Sequence, residues 1–281
     1  MAGRACLSVP GVDERKITKA GALDVDEIVL DLEDSVPPPG KDEARATVGR
    51  ALAGLRERRV AVRVNAVGTP WCHRDVIACA GPEGPASIVL PKVESGSDLA
   101  FLDRLLDGAE AASGRGEPVR VQALVETAAG LARLDEIAGA SPRLESLILG
   151  YADLAASLGR SPTASWLSLQ DRVLVAARAH GIAAIDGPFL GVGDDEPFRE
   201  HVRTARDLGF DGKWVIHPRQ IDAVQEAFTP TEDEIRHARE VLAVLAEASG
   251  RGAGAVALNG QMLDEALAAS ARRVLERAGR G

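Results

Sequence analysis

Two carboxylates leave buried strands at positions where chemistry is done. Glu126 directly follows Gln122-Ala123-Leu124-Val125 and precedes Thr127-Ala128-Ala129-Gly130; Asp153 lies just beyond Leu147-Ile148-Leu149-Gly150. Acids on neighbouring strand ends can share one hard cation, and Mg2+ takes one or two carboxylates while keeping water or substrate on its other sites. The competing reading places each acid at a helix N-terminus, where the helix dipole favours negative charge. Spacing alone leaves both open. Arg63 sits inside Val60-Ala61-Val62-Arg63-Val64-Asn65, and a guanidinium on a buried strand needs an anionic partner. That partner is either a substrate or an interior carboxylate such as Asp31 or Glu33. Asp31-Leu32-Glu33-Asp34 holds more acid than a lone metal needs, so part of it is expected to pair with nearby Lys or Arg.

Asn65, Lys92, Asp186 and His217 are further polar residues at strand ends. His217, followed by Pro218, either touches a ligand or is a satisfied structural histidine. His73 stands beside Cys72, but adjacent side chains on a helix do not face each other, which argues against a Cys–His dyad. His180, His201 and His237 are expected on helix surfaces, so the histidines form no metal-spaced set. No G-x-S-x-G elbow and no Walker A loop is present, which removes most of the case for nucleotide-driven phosphoryl transfer.

The elements that must position these residues alternate along the chain. Short apolar, β-branched runs fall at 5–9, 27–32, 60–65, 87–91, 120–125, 146–150, 183–185 and 213–216. Several are apolar almost without a break, as strands buried on both faces are. Segments with apolar residues at helical spacing lie between them, such as Leu99-Leu102-Leu105-Leu106. Eight strand–helix units of about 30 residues predict an α/β fold, a (β/α)8 TIM barrel. A doubly wound sheet fits less well, because no G-x-G-x-x-G follows the first strand. The barrel is expected over 1–228, with working residues at the C-terminal strand ends. Residues 229–281 are expected to form a helical extension, a lid or an oligomerisation arm. It would comprise a helix to about residue 247, a flexible joint at 249–254, an apolar run at 255–258, and a last helix from about Met262 to Arg277.

Composition narrows the function classes. The 281 residues are 46% hydrophobic and carry a net charge of −9, with aromatics at 3%. That charge has the wrong sign for sequence-independent binding to nucleic acid, and so few aromatics make a poor stacking platform. No apolar run approaches the roughly 20 residues that span a bilayer. The start lacks the apolar stretch of a signal peptide. Cys6, Cys72 and Cys79 form no CxxC pair and read as reduced thiols, so a cytoplasmic protein is expected.

Several blocks, taken in order, resemble the citrate lyase β-subunit-like branch of the HpcH/HpaI aldolase superfamily. They are Leu7-Ser8-Val9-Pro10-Gly11; Val29-Leu30-Asp31-Leu32-Glu33-Asp34-Ser35-Val36 with Lys41 and Arg45; Val62-Arg63-Val64-Asn65 with Gly68-Thr69-Pro70-Trp71; and Leu90-Pro91-Lys92-Val93-Glu94. Val125-Glu126-Thr127-Ala128, Gly150-Tyr151-Ala152-Asp153-Leu154, Ala184-Ile185-Asp186-Gly187-Pro188, Gly212-Lys213-Trp214-Val215-Ile216-His217-Pro218 and Asn259-Gly260-Gln261-Met262-Leu263-Asp264 follow.

The resemblance implies a barrel with a C-terminal extension, assembled as a homotrimer or a hexamer with active sites shared between subunits. It implies an enzyme that makes or breaks a carbon–carbon bond beside an acyl-CoA or carrier-protein thioester. Malyl-CoA, citramalyl-CoA or citryl thioesters would give acetyl-CoA and glyoxylate, pyruvate or oxaloacetate. By matched position, Glu126 and Asp153 would hold Mg2+, or Mn2+ in its place, and Arg63 would contact the reacting oxygens. Asp264, which spacing alone reads as an acid at the N-terminus of the last helix, would be the acid/base, reaching a neighbouring subunit's barrel. Lys16, Lys19, His217 and Pro218 would contact CoA. The chain departs from many relatives at Ser8 and Val12-Asp13-Glu14, near the CoA nucleotide, and in lacking a further acid just before Asp153. A thioesterase or malate synthase-like activity on the same scaffold, an aldolase for free 2-oxo acids, and a non-catalytic subunit docking an acyl carrier are the alternatives. The tail with Asp264 speaks against the free-acid aldolase.

Overall fold

Eight parallel strands close on themselves in a computed structural model that describes residues 3–161, 164–250, 255–258 and 261–279. In order they are β1 (Ala5–Pro10), β2 (Glu27–Asp31), β3 (Val60–Arg63), β4 (Ser87–Leu90), β5 (Arg120–Val125), β6 (Leu144–Leu149), β7 (Ala183–Asp186) and β8 (Gly212–Val215). Each pairs with the next, and β8 returns to β1 through Cys6 opposite Trp214. Helices fill the connections, so this is the expected (β/α)8 barrel. Every expected run holds a strand, with ends that differ by no more than two residues.

Alternation along the strands sorts the lumen into layers. Cys6, Val29, Ala61, Val89, Leu124, Ile148, Ile185 and Trp214, one from each strand, pack together as an apolar layer. Side chains two residues away point to the same face of a strand. Asp31, Arg63 and Glu126 therefore lie above this layer at the C-terminal mouth. Glu27, Arg59, Ser87 and Gln122 lie below it at the floor. Neighbours of opposite parity, such as Val62 and Leu147, are fully buried outside the barrel against the helices. Both faces of each strand are thus covered, which explains the nearly unbroken apolar runs.

The chain divides into two compact units after Val224, within the helix Ile221–Phe228. The second unit contains the helix Glu232–Gly250, the antiparallel pair β9 (Val256–Leu258) and β10 (Gln261–Leu263), and the helix Glu265–Ala278. Ala238, Val241, Leu263 and Ala271 form its own core. The last helix was expected from about Met262, but Met262 lies in β10. Met262 is 76% exposed and Leu263 1%; this period-two alternation belongs to a strand. Residues 251–254 of the expected joint, and Asn259 and Gly260 of the tail motif, lie outside the described residues. No helix of the described residues is long and apolar enough to cross a membrane.

Candidate active site

Arg63 ends β3 and lays its guanidinium over the Trp214 ring, 5.8 Å from the centroid. Nε and Nη2 donate to the two oxygens of Asp31 at 2.7 and 2.8 Å, the bidentate geometry that favours arginine over lysine. The same carboxylate accepts the backbone N–H groups of Glu33 and Ser35. The interior salt bridge left open by the sequence is therefore present. It leaves Nη1 facing Glu33 at 3.2 Å and Asp34 at 3.5 Å. The acidic loop is braced from behind. Lys41 donates to the carbonyls of Leu32 and Glu33 at 2.8 and 2.7 Å, and Asn65 donates to the Leu32 carbonyl at 3.1 Å.

Glu126 follows β5 and is buried. A Cβ on Gly150 would lie 2.6 Å from Glu126 Oε2, so glycine leaves the carboxylate its space. Thr127, not Glu126, caps the helix Ala128–Ala132, which removes the capping reading for Glu126. Asp153 does lie in the first turn of the helix Tyr151–Leu158, so the dipole argument holds there alongside any other role.

Lys92 joins these groups. Its Nζ donates to Glu33 Oε1 at 2.6 Å and lies 3.5 Å from Asp153, 3.8 Å from Asp34 and 3.9 Å from Glu126. Its own N–H donates to Glu126 Oε1 at 3.0 Å. Lys92 has φ 52°, the one positive value on a non-glycine among the described residues. An L-residue seldom adopts that conformation without cause. The sequence marked Lys92 as a mouth residue but carried no sign of this backbone or of its central place.

Burial, then the Glu33 and Asp153 carboxylates, push the Glu126 carboxyl up to about 8 against the pull of Lys92 and Arg63. Burial also raises Glu33, despite Arg63 and Lys92. Burial works against the charge on Lys92, yet Glu33 and the other acids hold its ammonium above the ordinary lysine range. Asp31, Glu33, Asp34, Glu126 and Asp153 thus outnumber the cations beside them, Arg63, Lys92 and the Lys41 that braces the loop. A site of oxygen donors short of positive charge suits a hard divalent cation. Among the described residues no three His, Cys, Asp or Glu side chains are disposed to hold a metal alone. Glu126 and Asp153 would leave the remaining positions to water or substrate.

The four residues expected to contact CoA also come together. Lys16, Lys19, His217 and Pro218 line one cavity of about 310 Å³ with Ser8 and Pro10. Asp13 caps the helix Glu14–Gly21 and holds Lys16 Nζ at 3.4 Å. His217 accepts the Arg219 N–H through Nδ1 at 3.2 Å, so the structural role weighed for it is realised. Asp264, in the second unit, caps the helix Glu265–Ala278. Its Oδ1 accepts the N–H groups of Ala266 and Leu267 at 3.0 and 3.1 Å.

Asp186 is a correction. Ile185 faces the lumen, so Asp186 turns outward to the helices. There it accepts from Tyr151 Oη and, at 2.5 Å, from Lys213 Nζ. His201 is another. Half-buried rather than on an open helix face, it packs edge-on against Tyr151 and Phe189 and lies 3.0 Å from Lys213 Nζ. Burial, then Lys213, lowers it to about 4, so it is neutral at pH 7. The three cysteines are free and buried, and burial pushes Cys72 and Cys79 up to about 12. A thiol so held is a poor nucleophile.

Residues 4–218 match the family model of HpcH/HpaI aldolase/citrate lyase. The chain is 38% identical to the L-malyl-CoA/beta-methylmalyl-CoA lyase of Cereibacter sphaeroides, over 98% of this chain and 94% of that one. It is 35% identical to a (3S)-malyl-CoA thioesterase of the same organism, with the same coverage. The CitE protein of Mycobacterium tuberculosis, solved with magnesium, acetoacetate and coenzyme A, aligns with a TM-score of 0.79 at 33% identity. That alignment covers 99% of this chain and 98% of that one.

Proposed function

Because the chain belongs to the HpcH/HpaI aldolase/citrate lyase family, we propose that it is a Mg2+-dependent lyase of CoA thioesters. It splits a 3-hydroxyacyl-CoA such as malyl-CoA, citramalyl-CoA or citryl-CoA into acetyl-CoA and a 2-oxo acid, or joins them. The observation that carries this reading is the acid-rich mouth in which Glu126 and Asp153 flank Lys92, which shares Glu33 with Arg63. Bound Mg2+, with Mn2+ able to stand in, would act as a Lewis acid toward the oxo-acid oxygens.

The chain's own residues supply the rest. Glu126 and Asp153 are the metal ligands. Arg63 Nη1, the nitrogen not committed to Asp31, hydrogen-bonds the oxygens on which negative charge develops. In cleavage the 3-hydroxyl gives its proton to water and its oxygen becomes the oxo-acid carbonyl as the bond between carbons 2 and 3 breaks; the electron pair of that bond passes to the thioester enolate, and Asp264 protonates carbon 2. In condensation Asp264 takes that proton away. Its Oδ1 is engaged by the helix N-terminus, so Oδ2 is the atom that carries the proton. Lys16, Lys19, His217 and Pro218 hold CoA in their common cavity. The unit beyond residue 228 is the arm that brings Asp264 to a neighbouring subunit of a homotrimer or hexamer, where closure excludes water. The cytoplasm, which keeps Cys6, Cys72 and Cys79 reduced, is the compartment that fits.

Purified protein with Mg2+ against those three thioesters tests the reading; acetyl-CoA plus an oxo acid is the expected product pair. Thioester hydrolysis is the second reading, favoured by the thioesterase relative, and free hydroxy acid plus CoA would identify it. For the shared site, inactive Asp264→Ala and inactive Glu126→Gln proteins are mixed under subunit exchange. Recovered activity is expected. No recovery, with exchange shown by mass spectrometry, would remove Asp264 from the neighbour's chemistry.

A further inference from the structure

The geometry points to Lys92 as a resident counter-ion that occupies the metal-free site and must yield when the divalent cation enters, so that this one ammonium sets how tightly the metal is held. The inference rests on the metal reading of Glu126 and Asp153. Three observations carry it. First, Lys92 Nζ lies within 4 Å of both candidate ligands, 3.9 Å from Glu126 and 3.5 Å from Asp153. A divalent ion on those two oxygens would have the ammonium as its direct neighbour, and like charges that close repel strongly in a partly buried setting. Second, the lysine has somewhere to go. Its shortest contact is with Glu33 Oε1 at 2.6 Å, and Asp34 lies 3.8 Å away. Withdrawal from Asp153 therefore keeps the ammonium paired. Third, the backbone at Lys92 is held at φ 52° while its N–H donates to Glu126 Oε1. The strained conformation ties the lysine's main chain to one ligand and its side chain to the acids around both.

Without the ammonium, the carboxylates would repel one another in the metal-free protein. With it, the site is held together at the expense of metal affinity. Titration of the full-length protein with MgCl2 by calorimetry, paired with thermal unfolding with and without MgCl2, reads this directly and needs no substrate. Lys92→Met is expected to bind Mg2+ at least about tenfold more tightly than wild type. Without metal it should unfold at a lower temperature, and Mg2+ should raise that temperature more than it does for wild type. Lys92→Gln, which keeps a donor toward Glu33 but no charge, must show the same tightening. Lys92→Arg, which keeps the charge, must bind as wild type does. Equal or weaker binding by the folded neutral variants, with wild type binding normally, overturns the inference alone. No binding by wild type or any variant overturns the metal reading and the inference with it.

Discussion

The barrel buries charge at both ends of one lumen, and the two ends use it differently. At the floor, Arg59 donates to Glu27 at 2.9 Å and to Glu145 at 2.5 Å, and Arg120 lies 4.0 Å from Glu145. Gln122 bridges Glu27 and Ser87 at 2.9 Å each. Acids and bases balance, on backbone of ordinary conformation. Hydrogen bonding there is incomplete: Glu27 Oε2, Gln122 Oε1 and Ser146 Oγ have no protein partner, a role buried water can fill. At the mouth the balance fails. Acids outnumber Arg63, Lys92 and Lys41, and Lys92 is held in a left-handed conformation. The apolar layer that includes Trp214 separates the two. Charge buried for stability pairs itself, whereas charge buried for chemistry leaves a surplus. In such barrels the N-terminal end serves stability and the C-terminal end catalysis.

The hardest way to break this contrast is at the two proposed metal ligands. Glu126→Gln and Asp153→Asn should each lower Mg2+-dependent turnover by about three orders of magnitude, the several kcal/mol a metal supplies to a transition state. Melting temperatures should stay near wild type, because neither side chain belongs to the packed apolar layer. Near-normal activity at low Mg2+ in either variant would show that the residue is not a ligand. Arg63 comes next. Arg63→Lys should lose about 10²-fold or more in kcat, nearly as much as Arg63→Ala, because a point charge cannot hold Asp31 with one edge and substrate with Nη1. A fully active lysine variant would make Arg63 a purely structural partner of Asp31.

Much of this was legible in the sequence. The unbroken apolar runs disclosed the barrel. The rule that chemistry sits at C-terminal strand ends then selected Arg63, Glu126, Asp153 and Lys92. It failed at Asp186, because position along a strand does not say which face a side chain takes. Its neighbour Ile185 faces the lumen, and parity sends Asp186 outward to Lys213. The same parity, applied to strand starts, would have disclosed the floor: Glu27, Ser87 and Gln122 each lie two residues before a lumen-facing residue. His201 went unrecognised because its partners lie outside its own helix, Lys213 on the following strand and Tyr151 far back in the chain. Asp264 was legible both as a helix cap and as a family position, and the cap is what its own unit displays.

At the floor the contrast is sharpened through stability. Arg59→Met would strand the Glu27 carboxylate in a buried layer and leave Glu145 only the more distant Arg120, at a cost of about 3 kcal/mol. Urea unfolding should show that loss, while turnover per folded molecule stays at the wild-type level. A comparable loss of kcat in the folded protein would mean that the two ends are coupled through the apolar layer, and the division of labour would fail.

The smallest effect is one of slope against pH. Burial raises the Glu27 carboxyl, despite the pull of Arg59 and Gln122. Burial also works on Asp31, but there the hydrogen bonds and charge of Arg63 prevail and hold the carboxyl below its ordinary range. The two contribute to stability with opposite signs. From the unfolded glutamate value of about 4.3 up to its own raised value, folded Glu27 keeps a proton that the unfolded chain has lost, so stability falls as pH rises through that window. Asp31 stabilises fully above the unfolded aspartate value of about 3.9, and its contribution is lost as pH falls toward its lowered native value. Glu27→Gln removes a partner of Arg59 and so displaces the whole curve; the informative quantity is the slope, not the offset. Unfolding free energies measured from pH 3 to 7 should fall less steeply above about 4.3 in Glu27→Gln than in wild type. Asp31→Asn should lose the wild-type fall below about 3.9. Parallel curves for Glu27→Gln and wild type would mean that the floor carboxylate titrates as it does in the unfolded chain. Burial at the floor would then carry no net penalty for charge, because the pairing with Arg59 would compensate it in full.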